Sequence, residues 1–270
     1  LPIYRCLEEL TRQGVAVLSF DLRGSGKSEG KHSFWNPEAI AEDASLWLTW
    51  LKQRPDIDRS RIGLIGHSQC GVAATLVAAK ATNAVSWVVL LASIGVPVLE
   101  WHVKQIADQT ESIGLAPATA AKFTTFQREL FQDIIGAKDT AEATQRSRST
   151  TTNHLPRFTA EERSQLGLSD DVAEQFSRQA GEAWFRHYLA YDPRPALRQI
   201  RCPVFALHGL ADRQVSAKEN LASIAAELKA GGSAQVRLLE LPGLDHEFRV
   251  IARDAPAAPM TDPQPLSKMA

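Results

Sequence analysis

The stretch "RIGLIGHSQCG", Arg61 to Gly71, decides the fold. It begins as a short apolar run, reaches glycine at 66 and sets a serine at 68. It then passes into "QCGVAATLVAAK" (69–80), a small-residue helical pattern. A strand that runs through a tight turn into a helix lifts the turn serine clear of the sheet, the arrangement called a nucleophile elbow. The usual spacing is G-x-S-x-G. Here Gly66-His67-Ser68-Gln69-Cys70 ends in cysteine, and glycine follows at 71. Position 70 is expected to need a small side chain, because helix and strand pack closely there, and cysteine is compact.

Four more apolar runs read as strands: "VAVLSF" (15–20), "VSWVVLLAS" (85–93), "CPVFALHG" (202–209) and "VRLLELPG" (236–243). They are continuous rather than alternating, as in a parallel sheet covered on both faces. Helical patterns lie between them. One near 38–54 has Asn36 as its cap and Pro37 at its first position, with Ile40, Ala44, Trp47, Leu48 and Leu51 on one face. Another, 216–230, ends at Gly231-Gly232. Alternating strands and helices predict an α/β fold with one doubly wound, mostly parallel sheet. Between 94 and 200 the strands stop and helical patterns take over, with "TQRSRSTTTNHLPR" expected to be polar and irregular. The expected organisation is a core of residues 1–96 and 191–255, a helical insertion over 97–190 and a disordered tail over 256–270.

The chain has 270 residues, 44% hydrophobic and 23% charged, a composition that can bury a large core. Its net charge of -1 offers no field to draw nucleic acid or an anionic membrane. No apolar run approaches the roughly 18–20 residues that span a bilayer. Cys6, Cys70 and Cys202 fit neither a zinc pattern nor a disulfide framework and read as reduced thiols. No metal and no cofactor is expected. The sequence assigns neither compartment nor oligomeric state.

"FDLRGSGKSEG" (20–30) looks like a phosphate loop. A P-loop would need glycine at 21, where Asp21 stands, and a dinucleotide loop fails because Glu29 occupies its third glycine position. Gly30 and Asn36-Pro37 also prevent the immediate helix that either motif requires. The stretch is read instead as a loop at the carboxyl end of a strand, lining a ligand crevice. Arg23 is expected to pair within the fold.

A serine hydroxyl needs a base to take its proton and an acid to orient that base. In an elbow fold the chain order is Ser, acid, His. Of the seven histidines, His246 in "LPGLDHEF" follows the last strand, where the base should stand. Asp212, after "ALHG", follows the preceding strand, and chain order prefers it to Asp245. His67 is expected to point away on the turn and His208 to serve packing. The Gln69 N–H should be one oxyanion donor, with the second from a loop after an earlier strand.

Together, "GVAVLSFDLRGSGKSEG", "RIGLIGHSQCG", "VLLAS", "WFRHYLAYDPRPALRQIRCPVFALHGLADRQVSAKENL" and "LPGLDHEF" resemble the α/β-hydrolase superfamily, closest to its bacterial serine esterase, serine aminopeptidase-like and dienelactone hydrolase-like members. The resemblance implies a Ser68–Asp212–His246 triad, a helical lid and a small ester or acyl substrate cleaved through an acyl-enzyme. It also implies further sheet strands, with the partner loop of the oxyanion hole, upstream of Leu1. Two other readings stay open: a peptidase or amidase on the same triad, and a catalytically impaired truncated fragment.

Overall fold

The computed structural model describes residues 2–30, 36–233 and 235–251. The tail expected over 256–270 lies outside the described residues. Four strands form a parallel sheet: β1 (Leu64–His67), β2 (Val88–Leu91), β3 (Val204–Gly209) and β4 (Val236–Leu241), bonded in that order. Leu64 stands opposite Val88, Val88 opposite Val204, and Val204 opposite Val236. The strand starts are therefore level, and the carboxyl ends emerge on one side.

The chain divides into two compact units, Leu1–Pro97 with Asp192–Asp254, and Val98–Tyr191. In the first, α1 (Pro2–Arg12) precedes α2 (Pro37–Gln53). The start of α2 is set by Asn36, whose Oδ1 accepts the Ala39 N–H at 2.9 Å, with Pro37 in the first turn where its missing N–H costs nothing. The helices α3 (Gln69–Lys80), α10 (Arg194–Leu197) and α11 (Ala217–Ala230) complete the unit. Leu90, Val204 and Ala206 of the strands meet Val77 and Ala78 of α3 and Leu221, Ile224 and Leu228 of α11 in one core. Trp47, expected on the buried face of α2, is instead partly exposed beside Phe20, their ring centres 6.1 Å apart.

Residues 15–20 do not form the expected strand and carry no ladder bonds. A run becomes a strand only when a neighbour takes its N–H and C=O groups. None of the described strands pairs with this run, and Val15, Val17 and Leu18 stay 39%, 37% and 38% exposed.

The second unit is helical: α4 (Val98–Ser112), α5 (Pro117–Gly136), α6 (Thr140–His154), α7 (Ala160–Gln165), α8 (Val172–Ala180) and α9 (Ala183–Ala190). Phe126, Leu130, Phe131 and Ile134 of α5 are buried, with Phe126 beside Phe176 of α8 and Phe131 beside Phe185 of α9. The polar stretch expected to be irregular is most of α6. Its buried stripe is Ala143, Ser147, Thr151 and His154, a helical period written in small polar residues. Asp139 caps it by accepting the Glu142 N–H at 2.8 Å, and the Thr151 hydroxyl bonds back to the Ser147 carbonyl at 2.8 Å.

Candidate active site

Ser68 lies between the end of β1 and the start of α3, with φ +54° and ψ −124°. A side chain there is strained, and the position persists because its neighbours hold it. The Ser68 N–H donates to the Leu91 carbonyl at 2.9 Å, and the Gly71 N–H donates to the Ser68 carbonyl at 2.9 Å. A serine at a helix start ordinarily caps with its hydroxyl. Here the side chain makes no such bond, so Oγ is left for other chemistry. The Gln69 N–H, first in the helix, has no intrahelical acceptor and carries the positive end of the helix dipole.

Close packing at the elbow falls on positions 66 and 71. A Cβ on Gly66 would sit 2.3 Å from the Cys70 carbonyl oxygen, and one on Gly71 would sit 2.4 Å from Ser93 Oγ. Cys70 is partly buried against the core, and that burial pushes its thiol pKa up.

Asp212 and His246 come together from the loops after β3 and β4. His246 Nδ1–H donates to Asp212 Oδ2 at 2.8 Å, with side-chain exposures of 8% and 0%. Asp212 Oδ1 accepts the N–H groups of Gln214 and Val215, each at 2.8 Å. With Nδ1 donating, His246 Nε2 keeps a lone pair for a proton. The two loops are stitched by the Ala211 N–H on the Leu244 carbonyl at 2.9 Å. A Cβ on Gly209 would meet that same oxygen at 2.1 Å, so only glycine lets the loops approach this closely. Asp245 shapes the loop instead of bonding the ring: its Oδ1 accepts the N–H groups of Glu247 and Arg249 at 3.0 and 2.7 Å. Among the described residues no hydrogen bond joins Ser68 Oγ to the His246 ring; in free enzymes such bonds often tighten only with substrate.

His67 was expected to point away from this cluster, and it does not. Its ring centre lies 4.7 Å from that of His246, and its Nε2–H donates to the His246 carbonyl at 2.9 Å. The last residue of a strand alternates to the face opposite its neighbour, and here that face belongs to the His246 loop. Adjacency to Ser68 was the available signal, but nothing in the sequence says which loop lies over the strand end. His208 is fully buried. Burial holds its pKa down to about 4, against the opposing pull of Asp212.

The loop at 20–30 folds around its own carboxylate. Asp21 Oδ2 accepts the Lys27 N–H at 2.9 Å, and the Ser28 hydroxyl donates to the Asp21 carbonyl at 2.7 Å. An N–H already given to a carboxylate cannot cradle phosphate. Arg23 finds its partner in Asp43 of α2, with Nε–Oδ2 at 2.8 Å and Nη2–Oδ1 at 2.6 Å. At the amino-terminal end of the strands, far from Ser68 along them, Val89, Phe205 and Arg237 help line an open groove of about 390 Å³. Among the described residues no cluster of three or more His, Cys, Asp or Glu suits a metal, and no helix is long and apolar enough to cross a membrane.

A family model described as X-Pro dipeptidyl-peptidase (S15 family) matches residues 4–240. The chain belongs to this S15 peptidase family. The match takes in Ser68 and Asp212 and stops short of His246. Among curated proteins, the thiohydrolase apmlB of Arthrinium phaeospermum is 39% identical over 85 residues, 31% of this chain and 27% of that protein. An uncharacterized 31.7 kDa protein of Escherichia coli is 38% identical over 61 residues, 23% of this chain and 21% of its own length. The matched stretches thus span only about a fifth to a quarter of these relatives. Among solved structures, an esterase of Pyrococcus furiosus superposes with a TM-score of 0.52 at 19% identity, covering 88% of this chain and 66% of that one. Est1E from Butyrivibrio proteoclasticus, with ferulic acid bound, gives 0.51 at 19% identity, covering 89% and 73%. The fold is that of the α/β-hydrolases, with four strands in its sheet among the described residues.

Proposed function

We propose that this chain cleaves small carboxylic esters through an acyl-enzyme. Ser68 Oγ attacks the acyl carbon while His246 Nε2 takes its proton. Asp212 holds Nδ1–H and balances the imidazolium that forms. The Gln69 N–H donates to the developing oxyanion. His246 returns the proton to the departing alkoxide, then activates the water that frees the acid. The observation that carries this reading is the buried 2.8 Å bond from His246 to Asp212, in the same unit as a serine held at φ +54°. The test is burst release of p-nitrophenol from a short-chain ester. Ser68→Ala should lower turnover about a million-fold; turnover surviving that change would refute the assignment.

The S15 match favours a second reading on the same residues, cleavage of amide bonds after an X-Pro pair. An ester, a thioester and an anilide with one acyl group separate the two. Faster anilide turnover would select the peptidase. A folded chain that no fluorophosphonate labels would mean that the serine is catalytically impaired.

A further inference from the structure

We infer that His67 is a positioning residue for the base: it clamps the loop that carries His246 to the strand that leads into Ser68. This rests on the triad reading above. Two contacts reach across 179 residues of sequence, the Nε2–H bond to the His246 carbonyl at 2.9 Å and the ring packing at 4.7 Å. Together they fix both backbone and ring of His246 relative to a residue bonded directly to Ser68. The His246 loop needs such a hold, because Phe248, 6.3 Å from His67 between ring centres, sits at φ +57°.

The bond also dictates a tautomer. A carbonyl only accepts, so the His67 proton must be on Nε2. Burial, then the nearby His246, hold the His67 pKa below the usual imidazole value, against the opposite pulls of its own bond to the His246 carbonyl and of Glu247 and Asp212. At neutral pH His67 thus clamps as an uncharged donor and adds no positive charge beside the imidazolium that forms on His246.

The test compares His67→Gln, His67→Phe and His67→Ala in the whole chain. A glutamine amide reaches where Nε2–H stood; phenylalanine keeps the packing and loses the donor. His67→Phe and His67→Ala should each lower kcat about tenfold with KM unchanged, as expected for one hydrogen bond, while His67→Gln stays within about threefold of the parent. Without substrate, the downfield NMR signal of the His246 Nδ1 proton should be kept in His67→Gln and broadened by exchange in His67→Phe. The inference is overturned if His67→Phe matches the parent in kcat and in that signal, or if His67→Gln is as impaired as His67→Phe. Failure of the triad reading looks different: Ser68→Ala would keep its turnover, and the NMR comparison would still judge the clamp. If His67→Ala does not fold, the glutamine and phenylalanine variants decide.

Discussion

At residue 68 the backbone holds strain, and the hydroxyl it carries makes no cap bond. A side chain at φ +54° costs on the order of 1–3 kcal/mol, which glycine would not pay. Ser68→Gly should therefore raise stability by about 1 kcal/mol, read as a higher urea midpoint, while ending all turnover. An unchanged or lower midpoint would show that the turn is relaxed. Gly209→Ala should act in the opposite sense. Its new Cβ would press on the Leu244 carbonyl oxygen at 2.1 Å and push the Asp212 and His246 loops apart. We expect a loss of about 1–3 kcal/mol and a fall in kcat larger than any change in KM. Full activity in that variant would mean that the loops do not need their close approach.

At the scale of an element, α6 is a helix whose inward stripe is polar. Ser147 is fully buried and its hydroxyl has no partner among the described residues. A buried hydroxyl without a bond costs about 1–3 kcal/mol, so Ser147→Ala should leave stability unchanged or raise it by about 1 kcal/mol. A clear loss would reveal a water bonded there. The cap behaves conventionally: Asp139→Ala, which frees the Glu142 N–H, should cost about 1 kcal/mol by chemical denaturation.

For the whole molecule, the histidine buried beside the candidate site links stability to acid. His208 has a folded pKa of about 4 against 6.5 when exposed. Between those values the unfolded chain binds a proton that the folded one refuses, so stability falls as pH drops from about 6.5 to about 4 and levels below that. The full effect is on the order of 3 kcal/mol, at about 1.4 kcal/mol per pH unit. His208→Phe should flatten this part of the curve of melting temperature against pH. A variant curve parallel to the parent's would assign the acid sensitivity to other groups.

Much of the site was legible because its signals are local. The glycine at 66, the serine at 68 and the small-residue helix behind them specify a strand, a turn and a helix within a dozen residues. Chain order then picked out Asp212 and His246, the pair found bonded. Long-range signals were weaker. "VAVLSF" has the composition of a strand, yet strand formation depends on a neighbour that composition cannot supply. The polar stripe of α6 hid a helix, because periodicity is usually sought in apolar residues. Arg23 needed the fold to show Asp43. His67 was misjudged because its partner is a backbone carbonyl 179 residues away. By itself the sequence determined which candidate side chains follow each strand and in what order the chain delivers them, since those depend on side-chain type and local backbone preference. Only the tertiary structure decided which groups meet across loops, because contact between distant segments is fixed by packing and not by either segment alone.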